Sequence, residues 1–140
     1  RDIAKNTLTS LAASFTQPEI QLMISQFDQL RRTGVTASTR GRPAFSTDSD
    51  SVAKRHGAVL GLCALAECNP YTVPAFLPDL LMKIAEHRGD ANLIQNSAKY
   101  TFGEFWRTHQ DEWNSKFQSL FNEDQLGVLN DMKYSQAYYA

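Results

Sequence analysis

The chain is poor in cysteine, with only Cys63 and Cys68 among 140 residues, and it holds no continuous apolar run near the ~18 residues that mark a membrane span. The two thiols stand five positions apart in one predicted helix. They therefore point in different directions and are not expected to bridge, which suits reduced core thiols in an intracellular protein. There is no surplus of charge either. Fourteen basic against fifteen acidic residues, a net charge of -1, argue against a protein held chiefly by phosphate backbones or anionic membranes. No segment alternates apolar and polar residues between hairpin turn residues, so no strand is needed anywhere. The chain opens on Arg1 with neither an initiator methionine nor a signal-peptide pattern, which reads as an excised piece.

Catalytic and metal-binding patterns are missing as well. There is no Gly-rich phosphate loop, no nucleophile elbow and no acid pair at a motif spacing. His56, His87 and His109 fall on three predicted helices or helix ends without metal-ligand spacing, and neither cysteine has a second thiol or nearby histidine to complete a site. Asp111, Glu112, Glu123, Asp124 and Asp131 cluster near predicted helix N-termini, where the macrodipole alone favours acids. Trp106 and Trp113 are read as core. The expectation is a non-enzyme with no metal or cofactor.

What is present is helical periodicity. Leu8, Leu11, Ala12 and Phe15 recur at spacings of three and four, and so do Ile20, Met23, Ile24, Phe27 and Leu30. Between them Thr16-Gln17-Pro18-Glu19 has the form of a capping box, so the two stripes predict a helical hairpin. Val52, His56, Val59, Leu60, Cys63 and Ala66 form the next stripe, and Pro78 opens the helix of Leu80, Leu81, Ile84 and Ala85, which Gly89-Asp90 closes. Ile94, Ala98, Thr101, Phe102, Phe105 and His109 begin a third pair. Asn122 to Gln125 caps its last helix, which carries Leu126, Leu129 and Met132. Pair starts near Val52 and Leu93 lie about 41 residues apart, within the range of HEAT and armadillo repeats. The predicted fold is all-α, a short HEAT/ARM-like stack of antiparallel helix hairpins over residues 1–134, followed by an extended, flexible tail over 135–140.

Residues 33–50 interrupt the periodicity and predict a long, mobile surface loop. With Arg31 and Arg32 ahead of it and Arg40 and Arg42 inside it, the segment is basic. It is an anion, nucleic-acid or targeting patch on one reading and a solvated insertion on the other. No aromatic residues interleave the arginines as single-strand binding prefers, and direct nucleic-acid binding is not expected. The tail, by contrast, is a compact plug. Tyr138 and Tyr139 each bring an apolar body with a polar tip, and Ala140 brings a carboxylate if the natural chain stops there.

Several stretches together carry a family resemblance: Lys54-Arg55-His56, Val59-Leu60-Gly61-Leu62, Pro70-Tyr71 with Val73-Pro74, Pro78 with Leu80-Leu81-Met82, Arg107-Thr108-His109 with Asp111 and Trp113, Asp124-Gln125-Leu126 with Val128-Leu129 and Asp131, and terminal Tyr138-Tyr139-Ala140. Their order and spacing resemble the C-terminal domain of the large HEAT-repeat proteasome activators, giant single-chain regulators that cap the 20S particle. The resemblance covers nearly the whole chain outside the loop.

It implies that a hydrophobic-Tyr-any residue terminus enters a pocket between adjacent α subunits of the 20S ring and helps to open the gate without ATP. By position Tyr138 is the hydrophobic member, Tyr139 the penultimate tyrosine, and the Ala140 carboxylate pairs with a pocket lysine. It further implies residence in nucleus and cytoplasm, and links to DNA repair and the degradation of acetylated histones. Some members are described as reading acetyl-lysine, a role that would fall on Ser14 and Phe15. An asparagine amide, which both donates and accepts, is expected where Ser14 offers a hydroxyl. A pure scaffold is the remaining alternative, and a solenoid slice with one uncovered face is expected to self-associate.

The eight residues after Met132 can extend roughly 26 Å, far enough to reach into a cleft. Ordering six of them costs on the order of 6 to 12 kcal/mol of backbone freedom, which one ion pair and two rings only partly offset. The tail therefore needs a tethering surface that raises its effective concentration at the pocket, and the isolated chain is expected to bind 20S particles weakly.

Overall fold

A computed structural model describes Lys5, residues 14–37 and residues 41–139, the side chains of 134–139 excepted. Leu8, Leu11, Ala12, Arg40 and Ala140 lie outside the described residues, as do the side chains of Tyr138 and Tyr139. The architecture is an all-α helical-repeat fold with one small hairpin.

Helix α1 (Gln17–Leu30) starts where the capping box places it. The Thr16 hydroxyl accepts the Glu19 N–H at 3.4 Å and the Glu19 carboxylate accepts the Thr16 N–H at 3.0 Å, with Pro18 in the tolerant first turn. Its inward stripe is Ile20 and Ile24, with Met23 and Phe27 packed beside them. Helix α2 (Ser49–Glu67) follows, capped by Asp48, whose carboxylate accepts the Ser51 N–H at 2.9 Å. A hydrogen bond from the Ser46 hydroxyl is the largest of the bonds that draw the Asp48 carboxyl down to about 2. From Gly61 to Ala66 α2 is buried on every side, the mark of a helix surrounded by others.

Helix α3 (Leu77–Ala85) buries Leu77, Leu80, Leu81 and Ile84, and a short 3-10 turn (Glu86–Gly89) ends it. Helix α4 (Asn92–His109) buries Ile94, Ala98, Thr101, Phe102, Phe105 and His109, the stripe expected from periodicity. A π-type turn (Trp113–Phe117) and a 3-10 turn (Gln118–Leu120) lead into α5 (Glu123–Tyr139). Asn122 and Gln125 form a reciprocal cap there, with bonds of 2.8 and 2.9 Å.

Helix α2 packs against α1, α3 and α4, while α5 packs against α3 and α4. The buried apolar residues join into one core running from Ile20 to Met132. Between α1 and α2 the helices approach so closely that a Cβ on Gly61 would meet Phe27 Cζ at 2.5 Å, so a side chain there requires the Phe27 ring to shift.

Two expectations are corrected. The 33–50 segment is not wholly irregular: β1 (Val35–Ala37) pairs antiparallel with β2 (Pro43–Phe45) in the register Val35 to Phe45, Thr36 to Ala44 and Ala37 to Pro43. Gly34, at φ +72, makes the turn into it, and a Cβ there would stand 2.8 Å from the Ser46 Cβ. The strands are too short to show alternation, and they are pinned from outside. Arg55 donates to the Thr33 carbonyl at 3.1 Å and the Ser46 carbonyl at 2.7 Å. The second correction concerns the tail expected to be extended over 135–140, because the α5 backbone stays helical through Tyr139. No proline or glycine follows Gly127 to stop it.

Candidate functional site

The helix that carries Tyr138 and Tyr139 is seated on the body by residues just upstream. Leu129 and Met132 are buried in the core, and the Lys133 ammonium lies 4.9 Å from the centre of the Trp106 ring. Gln125 adds a bond to the Asp79 carboxylate at 3.2 Å, tying the start of α5 to α3. Beneath α5 an aromatic cluster forms the support. Phe105 meets Trp106, Trp113 and Phe121 edge on and stacks on His109 at 4.3 Å, while Trp106 and Trp113 meet edge on at 4.7 Å. The His109 ring nitrogens lie 2.8 Å from the Phe105 carbonyl oxygen and 2.6 Å from that of Thr72, holding the connection after α2 against the end of α4.

Alongside α5 runs a groove of about 360 Å³ lined by Trp106, Trp113, Gln118, Leu126, Gly127, Leu129, Asn130 and Lys133. Both tryptophans pack partly against the core, as their sequence context predicts, yet both also face this groove. Nothing in the sequence distinguishes a core tryptophan from one that packs and lines a cleft at once.

The remaining polar burial is structural. Asp90 accepts from Arg55 Nε at 3.0 Å, Arg55 Nη2 at 2.9 Å and the Ala91 N–H at 2.6 Å, and His87 Nδ1 stands 2.9 Å from its carboxylate. Burial alone would raise the Asp90 carboxyl, but these donors outweigh it and hold it below the usual range. Burial pushes the His87 imidazole down. With Arg31 Nη1 donating toward Nε2 at 3.4 Å, the neutral ring protonated on Nδ1 satisfies both neighbours. The set is closed, with no open coordination position or free nucleophile. Cys63 is equally inert, its thiol pushed up to about 12 by burial. Among the described residues no group of three or more His, Cys, Asp or Glu could hold a metal ion, and no helix is long and apolar enough to cross a membrane.

The residues of the basic segment are placed very differently from one another. Arg31 is buried, paired with Asp28 and with Glu86 at 2.6 Å, whereas Arg32 is exposed and reaches Asp28 at 3.2 Å. Arg31, Arg32 and Arg42 share an open groove of about 450 Å³ with Glu86 and the hairpin. Ser14 is exposed in a turn, and Phe15 packs against the core.

A family profile described as "Proteasome activator complex subunit 4-like, C-terminal" matches residues 52–140. Proteasome activator complex subunit 4 of Bos taurus is 38% identical over 144 residues, covering 100% of this chain and 8% of the relative, and that of Homo sapiens is 37% identical with the same coverage. Proteasome activator subunit 4 of Arabidopsis thaliana is 40% identical over 95 residues, covering 68% of this chain and 5% of the relative. The chain thus spans less than a tenth of the length of these relatives, and it belongs to the proteasome activator complex subunit 4-like family, in the region described as C-terminal.

Proposed function

We propose that this chain is the C-terminal part of an ATP-independent activator that caps the 20S proteasome, and that Tyr138, Tyr139 and Ala140 enter a pocket of the α ring and promote gate opening. The observation that carries the reading is a family match reaching residue 140, behind a helix that Leu129, Met132 and Lys133 seat on the helical body. The role is regulatory rather than enzymatic, and the HEAT-type repeats act as the tether.

The helical α5 backbone adds a step. Tyr139 stands six positions beyond Lys133, a rise of about 9 Å in a helix and a reach of about 20 Å when extended. Entry into a deep pocket calls for unwinding of the last turn or two, which the terminal carboxylate and the Tyr139 ring offset once bound. Tethering by the body supplies the rest.

Co-sedimentation of 20S particles with the full-length activator tests this, with a synthetic peptide of residues 134–140 as competitor. Displacement by the free-acid peptide, and none by its C-terminal amide, is the expected result. Equal displacement by the free acid and the amide contradicts the assigned role of the carboxylate.

A further inference from the structure

The stretch that follows α2 holds a strained residue. Tyr71 has φ +68 and is the one non-glycine at positive φ among the described residues. Bulky side chains are rarely found there, where glycine sits without strain. The contact of His109 with the Thr72 carbonyl accounts for the path of the turn, but not for a tyrosine in it. Nor does packing within the chain offset the strain, because Tyr71 stays 63% exposed.

Tyr71 has exposed neighbours on α4. Leu93 and Tyr100 stand seven residues apart on one helix face, 59% and 53% exposed, and Arg107 continues that face after another seven. Both phenols act electrostatically on the Arg107 guanidinium, so the two rings lie in its neighbourhood. Pro70 and Arg107 also line a pocket of about 250 Å³, together with Glu67 and the buried Ala66, Leu81 and Phe105. That volume, below the ~300–1,000 Å³ of most small-molecule sites, suits a single bulky side chain.

The position of Lys5 shows where the chain enters this face. Its ammonium lies 3.3 Å from a Glu67 carboxylate oxygen and 4.7 Å from the centre of the Tyr100 ring. Arg1 is four positions earlier, so whatever precedes it starts within about 14 Å of Lys5 even if those residues are extended. The chain spans 8% of its Bos taurus relative and matches a C-terminal region, so in an activator of that size nearly all of the rest precedes Arg1. Helical repeats pack on their sequence neighbours.

We propose that Tyr71, Leu93, Tyr100 and Arg107, with the pocket that Leu81 and Phe105 line, form the docking face for the helical repeat immediately preceding residue 1 in the full-length activator. This rests on the reading of the chain as the C-terminal part of such an activator. An apolar side chain of that repeat fills the pocket, and the tyrosine rings pack along its flank with their hydroxyls toward water. Glu67 and Arg107 are already paired, with Lys5 and Glu104, so the face requires no charge from its partner. Burial in the full-length protein then offsets the strain at Tyr71. Phe105 belongs both to this pocket and to the aromatic cluster beneath α5, so one residue joins the docking face to the base of the tail helix.

The test replaces Tyr71 or Tyr100 by the photo-cross-linker p-benzoylphenylalanine in the full-length activator, irradiated alone and with 20S particles, and maps the products by mass spectrometry. Intramolecular cross-links from either position to the roughly 45 residues before Arg1 are expected, with a yield unchanged on about tenfold dilution. The proposal is overturned if neither position reaches those residues, whether the products join a second copy, the 20S α subunits, remoter parts of the activator or residues 1–140 alone, or do not form. Stimulation of fluorogenic-peptide hydrolysis by Tyr139→Ala reads the tail separately. Stimulation lost there, with no such cross-link, overturns the docking face and leaves the tail reading standing. Stimulation kept, with the cross-link present, overturns the tail reading and leaves the docking face.

Discussion

Arg55 and Asp90 meet side on in the interior, Nε to Oδ2 at 3.0 Å and Nη2 to Oδ1 at 2.9 Å, with side chains 1% and 0% exposed. The same guanidinium holds the carbonyls of Thr33 and Ser46, so one residue of α2 fastens both the hairpin segment and the turn before α4. Arg55→Met leaves a buried carboxylate without its main partner and is expected to cost about 3–5 kcal/mol. Urea denaturation of the 140-residue chain checks this. Arg55→Met combined with Asp90→Leu should cost less than the sum of the two single changes.

His87 gives the fold a dependence on acid. Burial first, then the Arg31 charge, lower its pKa in the folded state, while the Asp90 bond works in the opposite sense. A folded value below the unfolded value of about 6.5 means that the unfolded chain binds the proton first. Stability is therefore fully present above that pH and declines as pH falls toward the folded value. The Asp90 carboxyl, also lowered, adds a second loss below about 4 as it is protonated. Urea midpoints measured from pH 7.5 to 4 should fall in the wild type, and His87→Asn should remove the upper part of the decline.

At the α1–α2 crossing Gly61→Ala gains helix propensity but drives a methyl into the Phe27 ring. Overpacking of this kind costs about 1–3 kcal/mol, so net destabilisation is expected. Phe27→Leu in the same chain should recover part of it. Thermal melting of the three variants decides the matter, and a more stable Gly61→Ala would show that the ring moves aside freely.

Much of this helical order is legible in the sequence because its causes are local. Thr16 with Glu19 and Asn122 with Gln125 announce their helix starts within four residues, and the α4 stripe needs nothing but its own period. The hairpin is not legible, since its three-residue strands are held by Arg55, which looks like an ordinary surface charge until Asp90 is brought to it from 35 residues away. Arg31 misleads for the same reason. Counted with Arg32, Arg40 and Arg42 it reads as one basic patch, but Glu86 and Asp28 pair it inside. The tail tripeptide is visible from the sequence, whereas the seat beneath it is not, because Trp106 and Lys133 come together only in three dimensions.

The central claim concerns the last three residues, and fluorogenic-peptide hydrolysis by 20S particles with full-length activator tests it most directly. Wild type is compared with Tyr139→Ala and with Ala140 deleted, each confirmed as folded by its melting temperature. Loss of most of the stimulation in both variants is the expected result. Stimulation equal to wild type in both would contradict the claim and leave the body of the activator, rather than its tail, as the element that opens the gate.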